Sequence, residues 1–176
     1  MNSPFHKLAE VPGFELTSSD IRHGGKLPAA QCSGIMGIAG GGDVSPQLSW
    51  SGFPAETQAF VVTCFDPDAP TGSGFWHWVV ANIPGDVHAL ATDAGNPDKN
   101  LLPAGAITIR NDAGSARFVG AAPPAGHGPH RYFFIVQALD APLDVDASAT
   151  PAFVGFNTWF HAIGRAWMEA TFEVPA

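Results

Sequence analysis

Cysteine is scarce in this sequence. The 176 residues include two, Cys32 and Cys64, and neither sits in a CxxC pair. That excludes a disulfide framework and a cysteine-ligated zinc site, and both side chains are expected to be buried thiols. Charge is also scarce, at 14% of residues, and positive charge most of all: Lys and Arg number 8 against 16 Asp and Glu, for a net charge of −8. Lys and Arg form no run anywhere, which argues against an electrostatic hold on nucleic acid or on an anionic lipid surface. A local anion site remains compatible with this balance, because backbone N–H groups and histidines supply one without net positive charge. No apolar run approaches the roughly 18 residues a membrane span needs. The opening "MNSPFHKLAEVPGFEL" lacks a basic head followed by an apolar stretch, so no signal peptide is read. A soluble, cytoplasmic protein without membrane insertion is the expectation.

Several catalytic signatures are missing as well. No GxSxG, HExxH or HxH occurs, and no GK[ST] follows the Gly-rich stretch "SGIMGIAGGGDVSP" at 33–46, so a phosphate-cradling P-loop is not supported.

What the chain does have is apolar bulk, 45% of residues, punctuated by 20 Gly and 16 Pro. Its length fits one domain, 1–176, with a full core behind a loose lead-in over 1–13. Short apolar or β-branched runs bounded by turn residues predict strands at 59–65, 78–83, 106–109, 117–120 and 132–139, and "FELTSSDI" predicts an edge strand. "YFFIVQAL" is apolar on both alternating faces, which predicts a central strand covered on both sides. Near the end the period changes. Trp159, Phe160, Ile163, Trp167 and Ala170 recur at helical spacing opposite His161, Arg165 and Glu169, which predicts a helix capped by Asn157 or Thr158. "TPAFVGF" predicts a short separate helix with Pro151 in its first turn. The fold class is mainly β (α+β), with helices at the C-terminal end.

Two stretches can carry chemistry. In "CFDPDAPTGSGFWHWVV" (64–80), Asp66 and Asp68 each precede a proline, which favours extended backbone and stiffens the loop. Such Asp-Pro pairs either aim carboxylates or simply form turns by Asx hydrogen bonding. His77 opens the next strand between Trp76 and Trp78, and strict alternation would put both tryptophans on one face and His77 on the other. In "GAAPPAGHGPHRYFF" (120–134), rigid Pro123, Pro124 and Pro129 precede His130 and Tyr132, which two-residue spacing places on one face. His127 reads as a solvated loop histidine, and Arg131 as a structural cation tied to an acid or to loop carbonyls. Two stiff turns feeding imidazoles, a phenol and carboxylates to strand ends predict one small polar pocket. Its donors suit a phosphate-like anion. Asp66, Asp68, His77 and His130 are also competent metal ligands, so a metal-dependent hydrolase is the alternative.

"DPDAPTGSGFWHWVVANIP" (66–84) and "GAAPPAGHGPHRYFFIVQALD" (120–140) resemble the two signature blocks of the phosphatidylethanolamine-binding protein family, also called Raf kinase inhibitor protein-like. The short gap between DPDAP and the histidine looks like the bacterial branch. "SPQLSWSGFP" and "NDAG" match in place and order, and the resemblance covers roughly residues 14–174. It implies a large central antiparallel sheet packed on a smaller sheet, with peripheral helices and a small anion pocket at one end. The implied ligand-binding residues are Asp66, Asp68, His77, Pro124, His130 and Tyr132, with no catalytic residue, metal or cofactor. The implied ligand is phosphate or a phosphorylethanolamine-like headgroup. The resemblance also implies a kinase or protease as a partner to be inhibited, a homodimer, and a cis peptide at Ala69–Pro70. Ala122 stands where the family usually has glycine, which would narrow the pocket.

Overall fold

A computed structural model describes residues 4–5 and 8–176. The expected lead-in over 1–13 falls partly outside those residues. Its described part is tied down at Pro12, whose carbonyl accepts from the Arg165 N–H at 3.0 Å.

The strand runs assemble into two sheets. Strands β4 (Ala59–Asp66), β5 (Phe75–Pro84) and β8 (His130–Leu139) form the middle of a six-stranded sheet. β2 (Gly25–Lys26) and β9 (Ala162–Phe172) extend it on one side and β7 (Ile107–Thr108) on the other, in the order β2-β9-β8-β4-β5-β7. Every pairing is antiparallel except β2 with β9. The smaller sheet joins β1 (Glu15–Thr17), β3 (Leu48–Ser51) and β6 (Ala89–Leu90).

The inner face of the large sheet buries Phe60, Val62, Trp78, Phe134 and Val136 against Leu48, Trp50 and Leu90 of the small sheet. The Trp50 and Phe60 rings meet edge-on at 5.3 Å. Full burial of such side chains stabilises by about 1.5–3 kcal/mol each, so this seam dominates the core. The opposite face buries Val61, Val79, Ala81 and Leu139 under helix α1 (Pro151–His161) through Val154. This is why β4 and β8 read as continuous apolar runs: both of their faces are covered.

Three features differ from the sequence expectation. First, there is one C-terminal helix, over the segment expected to be short and separate. Thr150 caps it, its Oγ1 accepting from the Phe153 N–H at 3.2 Å, and Pro151 stands in the first turn. The helical spacing from Trp159 to Ala170 is broken at Ala162, where β9 begins. "AIGRAWMEATF" carries a second, two-residue period: Gly164, Ala166, Met168 and Ala170 are buried, while Arg165, Trp167 and Glu169 face the other side. Pairing along the whole of β8 satisfies an edge that a helix would leave bare. Second, Trp76 and Trp78 do not share a face. Cys64 pairs with Trp78 but Phe65 pairs with Trp76, so His77 is the extra residue of a β-bulge. Trp78 enters the inner core, while Trp76 stacks at 4.3 Å on Phe65 on the other side. Third, residues 117–120 are not a strand, although 118–120 are buried. Phe118 N–H donates to the Gly95 carbonyl, Val119 N–H to that of His77, and Gly120 N–H to Asp43 Oδ1.

Candidate functional site

The two proline-stiffened turns meet at one end of the large sheet, where β4 ends and β5 and β8 begin. Between them lies a cavity of about 140 Å³. Asp66, His77, His130 and Tyr132 supply its polar wall, with Pro123 and Pro124 among the apolar residues. Ala122 also lines it.

Asp66, 3% exposed, organises the site. Its Oδ1 accepts from the N–H groups of Asp68 (2.8 Å) and Ala69 (3.0 Å), an Asx turn that shapes the DPDAP loop. Its Oδ2 takes the Nδ1–H of His130 at 2.7 Å. The carboxylate is therefore fully used within the protein. It fixes the His130 ring so that Nε2 is the nitrogen left for other partners. The turn needs no cis peptide: the Ala69–Pro70 bond is trans, against the expectation carried by the resemblance.

Asp68 is placed differently. It lies off the cavity wall, locked to Arg131: Nε donates to Oδ2 and Nη2 to Oδ1, both at 2.7 Å, and the Arg131 N–H adds a third bond at 3.0 Å. The guanidinium holds the Asp68 carboxyl below its usual range. Two-pronged pairing of this kind ties the DPDAP turn to the start of β8.

His77 is buried, and its Nδ1 lies 2.8 Å from the Val119 carbonyl. A carbonyl only accepts, so Nδ1 carries the proton and Nε2 of the neutral ring is an acceptor. Burial holds the imidazole below its ordinary value of 6.5, with the Val119 carbonyl partly opposing. The unfolded chain therefore binds a proton more readily than the folded one. Stability is full above the ordinary value and falls as the pH drops through it. The melting temperature is expected to fall between pH 7 and pH 5. It should fall less in His77→Asn, whose amide keeps the bond to Val119 without titrating, as thermal scans of both proteins at the two pH values will read.

Tyr132 is 1% exposed, and its hydroxyl has no hydrogen-bond partner. Burial, then the nearby Asp66 charge, pushes its ionisation far up, so the group stays a protonated donor. His127, read from sequence as a solvated loop residue, instead brings its Nδ1 to 2.7 Å from His130 Nε2. The result is a hydrogen-bonded chain from Asp66 through His130 to His127.

A second contribution had little signal in the sequence. Met36, from the Gly-rich stretch 33–46, forms part of the wall. Asp43 holds that stretch in place, its Oδ2 accepting from the Ile35 N–H and its Oδ1 from the Gly120 N–H. A lone carboxylate in "GGGDVSP" was the available clue. Among the described residues, no three His, Cys, Asp or Glu side chains are arranged to hold a metal ion.

Two packed β-sheets with a small pocket at one sheet end, carrying a few convergent polar groups on an apolar wall, have the character of a binding protein. The chain belongs to the phosphatidylethanolamine-binding protein family, whose model matches residues 17–173. It is 47% identical over 161 residues to YbhB of Escherichia coli K12, spanning 91% of this chain and 100% of that protein. It is 44% identical over 167 residues to YbcL of the same organism, at 94% and 91% coverage. The crystal structure of E. coli YbcL superposes with a TM-score of 0.88 over 92% of this chain and 98% of that one, at 44% identity. The phosphatidylethanolamine-binding protein of Plasmodium vivax shares the fold with a TM-score of 0.61 at 18% identity, over 93% of this chain and 87% of that one.

Proposed function

We propose that the pocket binds a small phosphate-type anion and that the protein works as a binding module, not as an enzyme. The observation that carries this reading is the Tyr132 hydroxyl, a buried donor without a partner on the wall of a cavity it shares with two histidines. Leaving such a group unpaired costs about 1–3 kcal/mol, which a ligand oxygen would offset. The Asp66–His130–His127 chain fixes the His130 ring on the cavity wall. His77 Nε2, an acceptor, complements a phosphate hydroxyl or the ammonium of a phosphorylethanolamine headgroup.

No side chain at the pocket is set up as a nucleophile. The thiols of Cys64 and Cys32 are buried and pushed towards their neutral forms, Cys32 to about 11. Both are free, which is in keeping with a reducing compartment, and we place the protein in the cytoplasm on that ground. Among the described residues no helix is long and apolar enough to cross a membrane.

Tyr132→Phe isolates the carrying observation. Calorimetric titration with inorganic phosphate should show binding to this variant weakened roughly tenfold or more, the value of a hydrogen bond to a charged group. Its melting temperature should be equal to or above that of the parent, since an unpaired hydroxyl is removed. Equal phosphate affinity in both proteins would remove Tyr132 from the site.

A further inference from the structure

A second cavity, of about 260 Å³, lies on the opposite face of the large sheet. Its floor is Val61, Thr63 and Ile135 of the sheet. Helix α1 forms one wall through Thr158 and Trp159, and Phe5 and Leu8 form the other. This volume is near the lower end of small-ligand sites, roughly 300 Å³ upwards.

Two polar groups in this apolar chamber are poorly accounted for. Arg165 reaches it from β9. Its Nε donates to Gln137 Oε1 and its Nη1 to the Ala9 carbonyl, both at 3.2 Å. No carboxylate lies within ion-pair distance of it among the described residues. Arg131, the partly buried cation on the neighbouring strand, has Asp68 as its counter-ion. Burial lowers the Arg165 ionisation, with no carboxylate acting against it. Its guanidinium meets two neutral acceptors and, at 5.9 Å, the Phe5 ring, so no counter-charge offsets its desolvation. The second group is Thr158, 2% exposed, whose hydroxyl has no partner. A helical threonine ordinarily bonds back to the carbonyl four residues earlier.

We infer that this cavity is a second binding site, for a small apolar carboxylate of the fatty-acid type. Its head would pair with Arg165, with Thr158 donating from the helix, and its body would lie along the Val61–Ile135 floor. The charge of the unpaired cation selects an anion, and the apolar walls select its body. The free molecule is the occupant, not a lipid surface: sheet, helix and N-terminal segment enclose the body on three sides, and a chain of net charge −8 without a basic patch is repelled by anionic bilayers. The chain's own C-terminal Ala176 packs near Gly126, far along the fold from this chamber. The inference uses none of the residues of the phosphate pocket.

Trp76 and Trp159 line the chamber and report on it. Decanoate and decan-1-ol are to be titrated into the full chain while tryptophan fluorescence is followed, with calorimetry as a check. Decanoate should bind saturably, and saturating phosphate should not displace it. Arg165→Gln should weaken decanoate about 10–100-fold, the worth of a charge-assisted bond, and leave decan-1-ol unchanged. Gly155→Leu adds a bulky side chain at a helix position that lines the chamber and where a Cβ meets open space. Because it replaces a mid-helix glycine it should fold, and it should abolish binding of both probes. Absence of saturable decanoate binding by the parent protein, or unchanged affinity in Arg165→Gln, overturns the inference. A parent dimer that Gly155→Leu dissociates, with no decanoate bound, also overturns it and assigns the exposed Phe156–Phe160 face and this chamber to a second copy.

Discussion

Replacing Asp66 with alanine is expected to cost about 3 kcal/mol or more of stability and to abolish phosphate binding in the same variant. Three donors lose their acceptor at once: the N–H groups of Asp68 and Ala69 and the Nδ1–H of His130. Each buried donor left unpaired costs about 1–3 kcal/mol, and because the three share one carboxylate their costs do not simply add. The DPDAP turn loses its Asx bonds, and His130 loses the group that fixes its tautomer. Asp66→Asn separates these effects. Its Oδ1 can still hold the turn, so it should retain most of the stability. Its amide sets an N–H against His130 Nδ1, which forces the other tautomer and reverses the bond to His127. Urea denaturation and phosphate calorimetry on both variants should therefore show a large stability loss only in Asp66→Ala and lost binding in both. A stable Asp66→Ala protein that still binds phosphate would contradict this account of the site.

Gly120→Ala is the second large effect, expected to exceed about 3 kcal/mol. A Cβ at Gly120 would stand 2.4 Å from the carbonyl carbon of Cys32 and 2.5 Å from the Gln31 oxygen. Both are backbone atoms, which cannot swing aside as a flexible side chain does, so the segments must separate. They are held close by the Gly120 N–H bond to Asp43 and the Ala121 N–H bond to the Gln31 carbonyl. Opening them would also shift Ala122 on the pocket wall. Gly72→Ala is the control: its Cβ meets nothing within 4 Å, and the change should stay within about 0.5 kcal/mol. Comparable losses in the two variants would show that the close approach at Gly120 carries no weight.

The middle of the large sheet was legible because its residues face apolar surroundings on both sides. Runs such as 59–65 and 132–139 admit no other burial pattern. Strand β9 was not, because "AIGRAWMEATF" satisfies a helical and a two-residue period at once. Only the free edge of β8 decides between them. The bulge at His77 was equally hidden. It depends on how β4 and β5 register with each other, which no single strand encodes, and it reverses the faces of Trp76 and Trp78.

At the site, the motif residues 66, 77, 130 and 132 line one cavity. Their chemical roles needed coordinates. Asp68 and Arg131 are both ordinary charged residues in the sequence, and only their mutual distance shows that Asp68 is spent on that pair. Imidazoles read alike as donors, yet the carbonyl at Val119 makes the open nitrogen of His77 an acceptor. His127 sits among glycines, Gly126 and Gly128, whose positive φ values of 75° and 87° curl the loop back and bring the ring onto His130.

The most direct test of the central claim is calorimetry of O-phosphorylethanolamine binding to the parent protein at pH 6 and pH 8. Burial favours the neutral form of His77, so its Nε2 serves as an acceptor at the pocket. At the lower pH the phosphate, whose second ionisation lies near about 6, carries a hydroxyl for that nitrogen to accept. Binding roughly tenfold tighter at pH 6 than at pH 8 is the result this account requires. No binding at millimolar ligand, or tighter binding at pH 8, would contradict it.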